Sequence, residues 1–236
     1  MRILSFVRKV LAHSGVKPYS KADVDALRAQ QAKLRPTKDE NRLRLRERGE
    51  SVESFTFRDA VERDIPALAQ LHVTAWNATY PGTHRPPTVE IRAWQWRDAF
   101  KKNDGTWFCI VIERPDGGLI GFAKGRRSDH AEYPGELNKI YLLPEYHRLG
   151  LGRRLVGHVA RRFLAQGISA MWLCGEADNP SAAFHEALDG RNMTNDDGTT
   201  NYGNFCWDDL QRLAEICPIE APATPADAGS SSLRSG

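Results

Sequence analysis

The chain has 236 residues, of which 41% are hydrophobic, 27% charged and 9% aromatic; these values lie close to globular averages and exclude collagen-like, coiled-coil and wholly disordered classes. The longest uninterrupted apolar run, Trp107 to Ile112, has six residues, far below the ~20 that a membrane-spanning helix needs. Residues 1–50 carry 13 Lys and Arg against 6 Asp and Glu, and the remainder carries 20 against 24, so the formal net charge of +3 conceals a basic arm on a mildly acidic body.

The opening stretch from Met1 to Leu11 is apolar but broken and lacks a small-residue cleavage site, which reads against a secretory signal and leaves a transit peptide open. Three helices are expected in the arm, near 2–13, 21–34 and 38–48. Ser20-Lys-Ala-Asp23 and Thr37-Lys-Asp-Glu40 are capping boxes, in which a side-chain oxygen satisfies an otherwise unpaired amide, while Pro36 and Gly49 supply stops. The run from Arg42 to Arg48 reads as a solvated helix face or a contact for an anionic surface. No aromatic residues are interleaved to stack on bases, so nucleic acid is not an expected partner. Whether the arm folds back on the body or covers a second subunit in a homodimer stays open.

From Ser54 the pattern becomes alternating strand and helix. Ser54 to Arg58 alternates like a strand, and Asp64 with Pro66 opens a helix carrying Leu68, Leu71, Ala75 and Trp76 on its apolar side. Thr88 caps a second helix through about Lys102. Strands at 107–113 and 119–124 flank Pro115-Asp-Gly-Gly118, a hairpin signal. A further strand, 136–143, ends at Pro144. Leu151, Leu155, Val159 and Phe163 fall at helical spacing within 150–165. The mostly apolar strand 168–174 is expected to be buried on both faces. A helix at 180–188 and a strand around 202–207 complete the body. The tail from Pro218, rich in Ala, Pro, Ser and Gly, is expected to be disordered. The resulting division is a basic helical extension at 1–52, a mixed α/β domain at 53–212 and a tail at 213–236.

The informative stretch runs from Leu142 to Leu155, where a strand ends, glycines make a tight turn and an amphipathic helix begins at once. Such a turn presents uncommitted amides and the positive end of a helix dipole, a good seat for phosphate. Gly150 and Gly152 allow close backbone approach, and Arg148, Arg153 and Arg154 add charge. Neither a dinucleotide fingerprint nor a Walker sequence is present. Glycines that merely serve the turn are the plainer account.

Here the chain resembles the GNAT superfamily of acetyl-coenzyme A dependent N-acetyltransferases, whose hallmark [QR]-x-x-G-x-[GA] reads His147-Arg-Leu-Gly-Leu-Gly152, with histidine at the first position. The resemblance spans about 54–210 and includes the His72, Trp76 and Tyr80 pattern, the segment Gly135 to Tyr146, and Asn179 to Leu188. It implies a mainly antiparallel sheet flanked by helices. It also implies acetyl-CoA as cosubstrate, with pantetheine paired to the backbone of Ile140, Tyr141 and Leu142. The pyrophosphate would lie on Arg148, Leu149, Gly150, Leu151, Gly152 and Arg153, and Asn179 would position the pantetheine. Ile140 and Leu142 also read as core strand residues, and Asn179 as a turn residue.

Acetyl transfer needs a route for the ammonium proton and a donor for the thiolate. The resemblance places Glu136 at a general-base position and His185 at the position of the usual tyrosine acid, after Phe184, where it would donate the proton in that residue's place. A strand-end carboxylate and a packed imidazole are the plainer readings. Glu176 is a weaker base candidate. Trp76 and Tyr80, with His84 and Arg85, would face the acceptor, a primary amine on a small molecule or peptide. Asn195, Asp196 and Asp197 would attract a cationic amine or simply form a turn. Cys174 reads as core. The four cysteines, Cys109, Cys174, Cys206 and Cys217, form no CxxC pair and have no histidine cluster nearby, which fits a reduced, cytoplasmic protein without metal. The alternative function is a catalytically weak CoA-binding regulatory or interaction protein whose arm recruits a partner.

Overall fold

The computed structural model describes residues 20–33, 35–81, 86–177 and 179–220. The helix expected at 2–13, the candidates His84 and Arg85, and residues 221–236 of the expected tail lie outside the described residues.

Two helices, α1 (Lys21–Ala32) and α2 (Lys38–Glu47), precede the body. Both capping boxes form. The Asp23 amide donates to Ser20 Oγ at 3.2 Å and the Ser20 amide to Asp23 at 3.0 Å; Thr37 and Glu40 exchange the equivalent bonds at 2.7 and 3.2 Å. The described part of the arm folds back on the body. Val24 is fully buried, and Arg28 donates to Glu186 and to the Tyr202 carbonyl.

The body follows as β1 (Thr56–Asp59), α3 (Ile65–Thr79), α4 (Val89–Lys101), β2 (Trp107–Glu113), β3 (Leu119–Arg127), β4 (Gly135–Leu142), α5 (Leu151–Ala165), β5 (Met171–Cys174), α6 (Ala182–Glu186), β6 (Arg191–Thr194), β7 (Thr200–Trp207) and α7 (Leu210–Ile216). One sheet has the order β1-β2-β3-β4-β5-β7-β6. Every neighbouring pair is antiparallel except β4 with β5.

Strand alternation divides the core between the two faces. On β2, Ile110 and Ile112 join Leu151, Leu155, Phe163, Leu210 and Leu213 in one cluster. Cys109 and Val111 face the other way, into a cluster with Leu68, Leu71, Ala93, Trp96 and Phe122. Helices α5 and α7 therefore cover one face, and α3 and α4 the other.

Three expectations need correction. The strand expected at 168–174 begins at Met171, since Gly167 turns through a φ of 75° first, and its last residue, Cys174, is exposed rather than core. The helix expected at 180–188 is the single turn and a half of α6. The late part of the chain holds two strands where one was expected. Helix α7 runs across residue 212, and its Leu213 and Ala214, with Cys217 beyond it, are buried against α5 and the sheet.

Candidate active site

The slot begins where β4 and β5 part. They pair only at Gly135 with Met171 and Glu136 with Trp172. Beyond that point β5 continues to pair with β7 through Leu173 and Cys174, and β4 with β3 through Tyr141 and Leu142. The β5-facing edge of β4 is thus left without a strand partner among the described residues. A bulge between Lys124 and Gly125, opposite Lys139 and Leu137, bends β4 just after Glu136.

At the far end of β4 the turn enters α5 through two left-handed residues, Arg148 with φ 63° and Gly150 with φ 85°. The first helical bond is donated by the Arg154 amide to the Gly150 carbonyl. The amides of residues 148–153 have no acceptor among the described residues, so six donors lie in and just before the first turn of α5. The two glycines serve different ends. A Cβ at Gly150 would meet nothing within 4 Å, so its conformation demands glycine; one at Gly152 would lie 3.3 Å from the Phe184 ring of α6, so its smallness admits that helix.

The charged side chains divide. Arg148 is exposed, whereas Arg153 donates to the Ile216 carbonyl and Arg154 to those of Ile219 and Val52. The expectation that Arg154 adds charge to the cradle is corrected: its guanidinium stacks on Phe57 at 4.2 Å and is held by the Ile219 and Val52 carbonyls. His147, the departure from the family pattern, has its Nε2 2.8 Å from the Leu142 carbonyl. A carbonyl only accepts, so Nε2 carries the hydrogen; burial lowers the pKa of the ring despite that bond.

The extension contributes residues that the sequence did not flag. Asn41, fully buried on α2, donates to the carbonyls of Pro144 and His147 at 2.9 and 3.0 Å. Arg35 donates to the Pro180 carbonyl at 3.3 Å; burial, then Arg148, lowers its pKa. The available signal was an asparagine inside a helix, where that side chain disfavours the helix unless it has work elsewhere.

Asn179 has both ends of its amide engaged. Its Oδ1 accepts from the Ser181 amide at 2.9 Å, as in a turn, and its Nδ2 donates to the Tyr80 hydroxyl at 3.1 Å. Tyr80 lies 5.2 Å from Trp76 between ring centroids, so the end of α3 and the Asn179 turn meet at Tyr80.

Glu136 is 4% exposed. One carboxylate oxygen accepts from Arg126 at 2.7 Å and the other from Asn138 at 2.7 Å. His185 is enclosed by Phe184, Phe205 and Trp207, and burial lowers its pKa to about 4. The packed reading describes its surroundings. Glu176 is exposed. Asp197 is spent on its turn, accepting from the Thr199 amide at 2.9 Å. Among the described residues no group of three or more His, Cys, Asp or Glu is placed to hold a metal ion, and no helix is long and apolar enough to cross a membrane.

The model of the acetyltransferase (GNAT) family matches residues 65–189, which include the slot and the amide turn. The chain belongs to the GNAT acetyltransferases. It is an acyltransferase of that family. The uncharacterized N-acetyltransferase YuaI of Bacillus subtilis (strain 168) is 31% identical over 147 residues, 60% of this chain and 83% of that protein. Among solved structures, the PaiA N-acetyltransferase from Thermoplasma acidophilum, in complex with coenzyme A, superposes with a TM-score of 0.52 at 20% identity, covering 65% of this chain and 98% of that one. Spermidine N-acetyltransferase from Vibrio cholerae, in complex with CoA and spermine, gives a TM-score of 0.50 at 15% identity, covering 68% and 98%. At these identities the structural neighbours share the GNAT fold, and the acceptor is a separate question.

Proposed function

We propose that this GNAT enzyme moves the acetyl group of acetyl-CoA to a primary amine of a small molecule or peptide by direct attack. The observation that carries the proposal is the set of six amides at 148–153 without an acceptor among the described residues, following β4, whose edge past Glu136 has no strand partner among them. A diphosphate supplies acceptors to the first and an extended pantetheine supplies hydrogen bonds to the second. Coenzyme A in the complex of the Thermoplasma relative supports this choice of cosubstrate.

When bound, acetyl-CoA supplies the thioester carbonyl; the chain's residues orient and deprotonate. The new C–N bond replaces the C–S bond, the amine loses a proton and the thiolate gains one. Glu136 lies where β4 leaves β5, so we assign it the proton, received through water because Arg126 and Asn138 occupy its oxygens. Burial of His185 favours a packing role over donation to the thiolate. Trp76 and Tyr80 border the acceptor side. We further place the protein in the cytoplasm, supported by four cysteines that form no disulfide.

Calorimetry with acetyl-CoA, followed by thiol release across an amine panel, tests the proposal. Micromolar binding and amine-dependent release are expected. Binding without release from any amine would instead favour the CoA-binding regulatory reading.

A further inference from the structure

On the face of the sheet covered by α3 and α4, positive charge gathers without acidic partners. Lys139 on β4 is the cross-strand partner of Lys124 on β3. Lys124 lies over the rings of Trp107 and Trp96, its Nζ 4.4 and 5.5 Å from their centroids. Arg92 sits one turn before Trp96 on α4. The His72 ring packs between Trp96 and Tyr141, with centroids 6.2 and 5.0 Å away. None of Lys139, Lys124 and Arg92 is in an ion pair among the described residues: the protein bonds given to Lys139 and Arg92 go to Asn138 at 3.0 Å and Gln95 at 2.8 Å. Glu136, the carboxylate whose field reaches both lysines, is engaged by Arg126.

A second, independent feature marks the same cluster. His72 Nδ1, Trp96 Nε1 and Arg92 Nε are buried polar atoms without a hydrogen-bond partner, and His72 and Trp96 are only 2% and 3% exposed. Buried polar atoms are ordinarily satisfied, and desolvated cations are ordinarily paired. The strain registers in the ammonium groups: burial, reinforced by Lys124, Arg92 and Arg126, lowers Lys139 to about 8. An oxyanion placed among these groups would relieve both deficits at once.

We propose that the acceptor carries an anionic group, a carboxylate or phospho group, on the same molecule as its amine, and that Lys139, Lys124 and Arg92 hold that group while the amine faces the slot. The inference rests on the transferase reading and narrows its substrate to acidic amines of the amino-acid type. It opposes a polyamine, which the cluster would repel, although the acidic balance of the whole body would attract one. Local charge decides here, because the bulk contribution is screened within about 8 Å at physiological ionic strength.

The experiment uses the full chain with coenzyme A bound and titrates matched pairs by calorimetry: leucine against leucinamide and phosphoethanolamine against ethanolamine, with spermidine as the cationic arm. The acid of at least one pair is expected to bind at least tenfold more tightly than its neutral mate. Lys139→Met and Arg92→Met should each reduce that affinity roughly tenfold, the scale of one charge-assisted contact; Lys101→Met, on the exposed side of α4, is the control. Acetyl transfer over the same panel should follow the same order. If spermidine or the neutral mates bind as well as the acids, or if no acid binds, the inference is overturned. The transferase reading fails separately, if none of these amines and no other amine is acetylated.

Discussion

Asn41 hydrogen-bonds the carbonyl of His147 across 106 positions of sequence, joining the basic arm to the first residue of the glycine turn. The same side chain holds Pro144, and Arg44 donates back to its Oδ1 at 3.0 Å. Three hydrogen bonds thus fix one fully buried amide, and the residue that the turn springs from cannot move without α2. An arm that looked like an appendage in composition is part of the wall that shapes the glycine turn.

Replacement of Asn41 by alanine is expected to leave the two carbonyls without a buried donor, at about 1–3 kcal/mol, and to loosen the turn. Thermal unfolding should fall by several degrees, and acetyl-CoA affinity, by calorimetry, by three- to tenfold. A fall in melting temperature with unchanged affinity would mean that α2 supports the body and not the turn.

Gly150 and Gly152 should respond differently to the same small change. Gly150→Ala meets open space but forces a Cβ into a left-handed conformation, at about 1–2 kcal/mol, so binding of acetyl-CoA weakens with little loss of cooperativity in unfolding. Gly152→Ala crowds Phe184 at 3.3 Å and is expected to displace α6. Gly150→Glu sets a negative charge where the diphosphate should lie and is expected to abolish binding. Identical affinities for the wild type and Gly150→Glu would remove the diphosphate from this turn.

Much of this site was legible in sequence because its signals are local. Capping boxes at Ser20 and Thr37, Pro66 at a helix start and the paired glycines each act within a few residues, and each formed as read. What sequence withheld depends on distant partners. Arg191-Asn-Met-Thr194 is polar and short, and it becomes β6 because β7 offers it an edge. Leu210 to Ile216 folds because α5 presents an apolar surface to it. Arg153 and Arg154 stand beside the turn in sequence, yet their guanidinium groups follow carbonyls more than fifty residues away. Likewise Lys139 and Lys124 become neighbours only through strand register.

Glu136→Gln keeps the shape of a side chain that bonds Arg126 and Asn138 but gives up proton acceptance. If Glu136 takes the ammonium proton, kcat should fall by roughly 100-fold or more, the usual contribution of general-base catalysis, while acetyl-CoA affinity stays within about twofold. A purely structural Glu136 would produce the opposite split: a lower melting temperature, with kcat preserved in the enzyme that remains folded. Arg126→Gln is the companion variant. It frees one carboxylate oxygen and should raise the dependence of kcat on pH without reproducing the loss seen in Glu136→Gln.

Stability should decline as pH falls from 6.5 toward 5, a window set by histidines. Burial, with Arg28 adding repulsion, lowers His185 to about 4; burial with Arg92, Lys139 and Lys124 lowers His72 to about 2; burial with Arg154, Arg161 and Arg162 lowers His158 to about 4. Each folded-state value lies below the unfolded value of about 6.5. The unfolded chain therefore binds protons that the folded chain refuses, and the stability these rings contribute is complete above pH 6.5 and lost below it. Once the unfolded ring is largely protonated, each such histidine contributes up to about 1.4 kcal/mol per pH unit. His185→Leu replaces an imidazole whose Nδ1 has no partner with an apolar group among Phe184, Phe205 and Trp207. Urea unfolding at pH 7.5, 6.5, 5.8 and 5.0 should show the variant close to wild type at the highest pH and progressively more stable than it as the pH drops. Parallel curves for the two proteins across that range would show that His185 accepts its proton while folded, and would return it to consideration as a proton donor in catalysis.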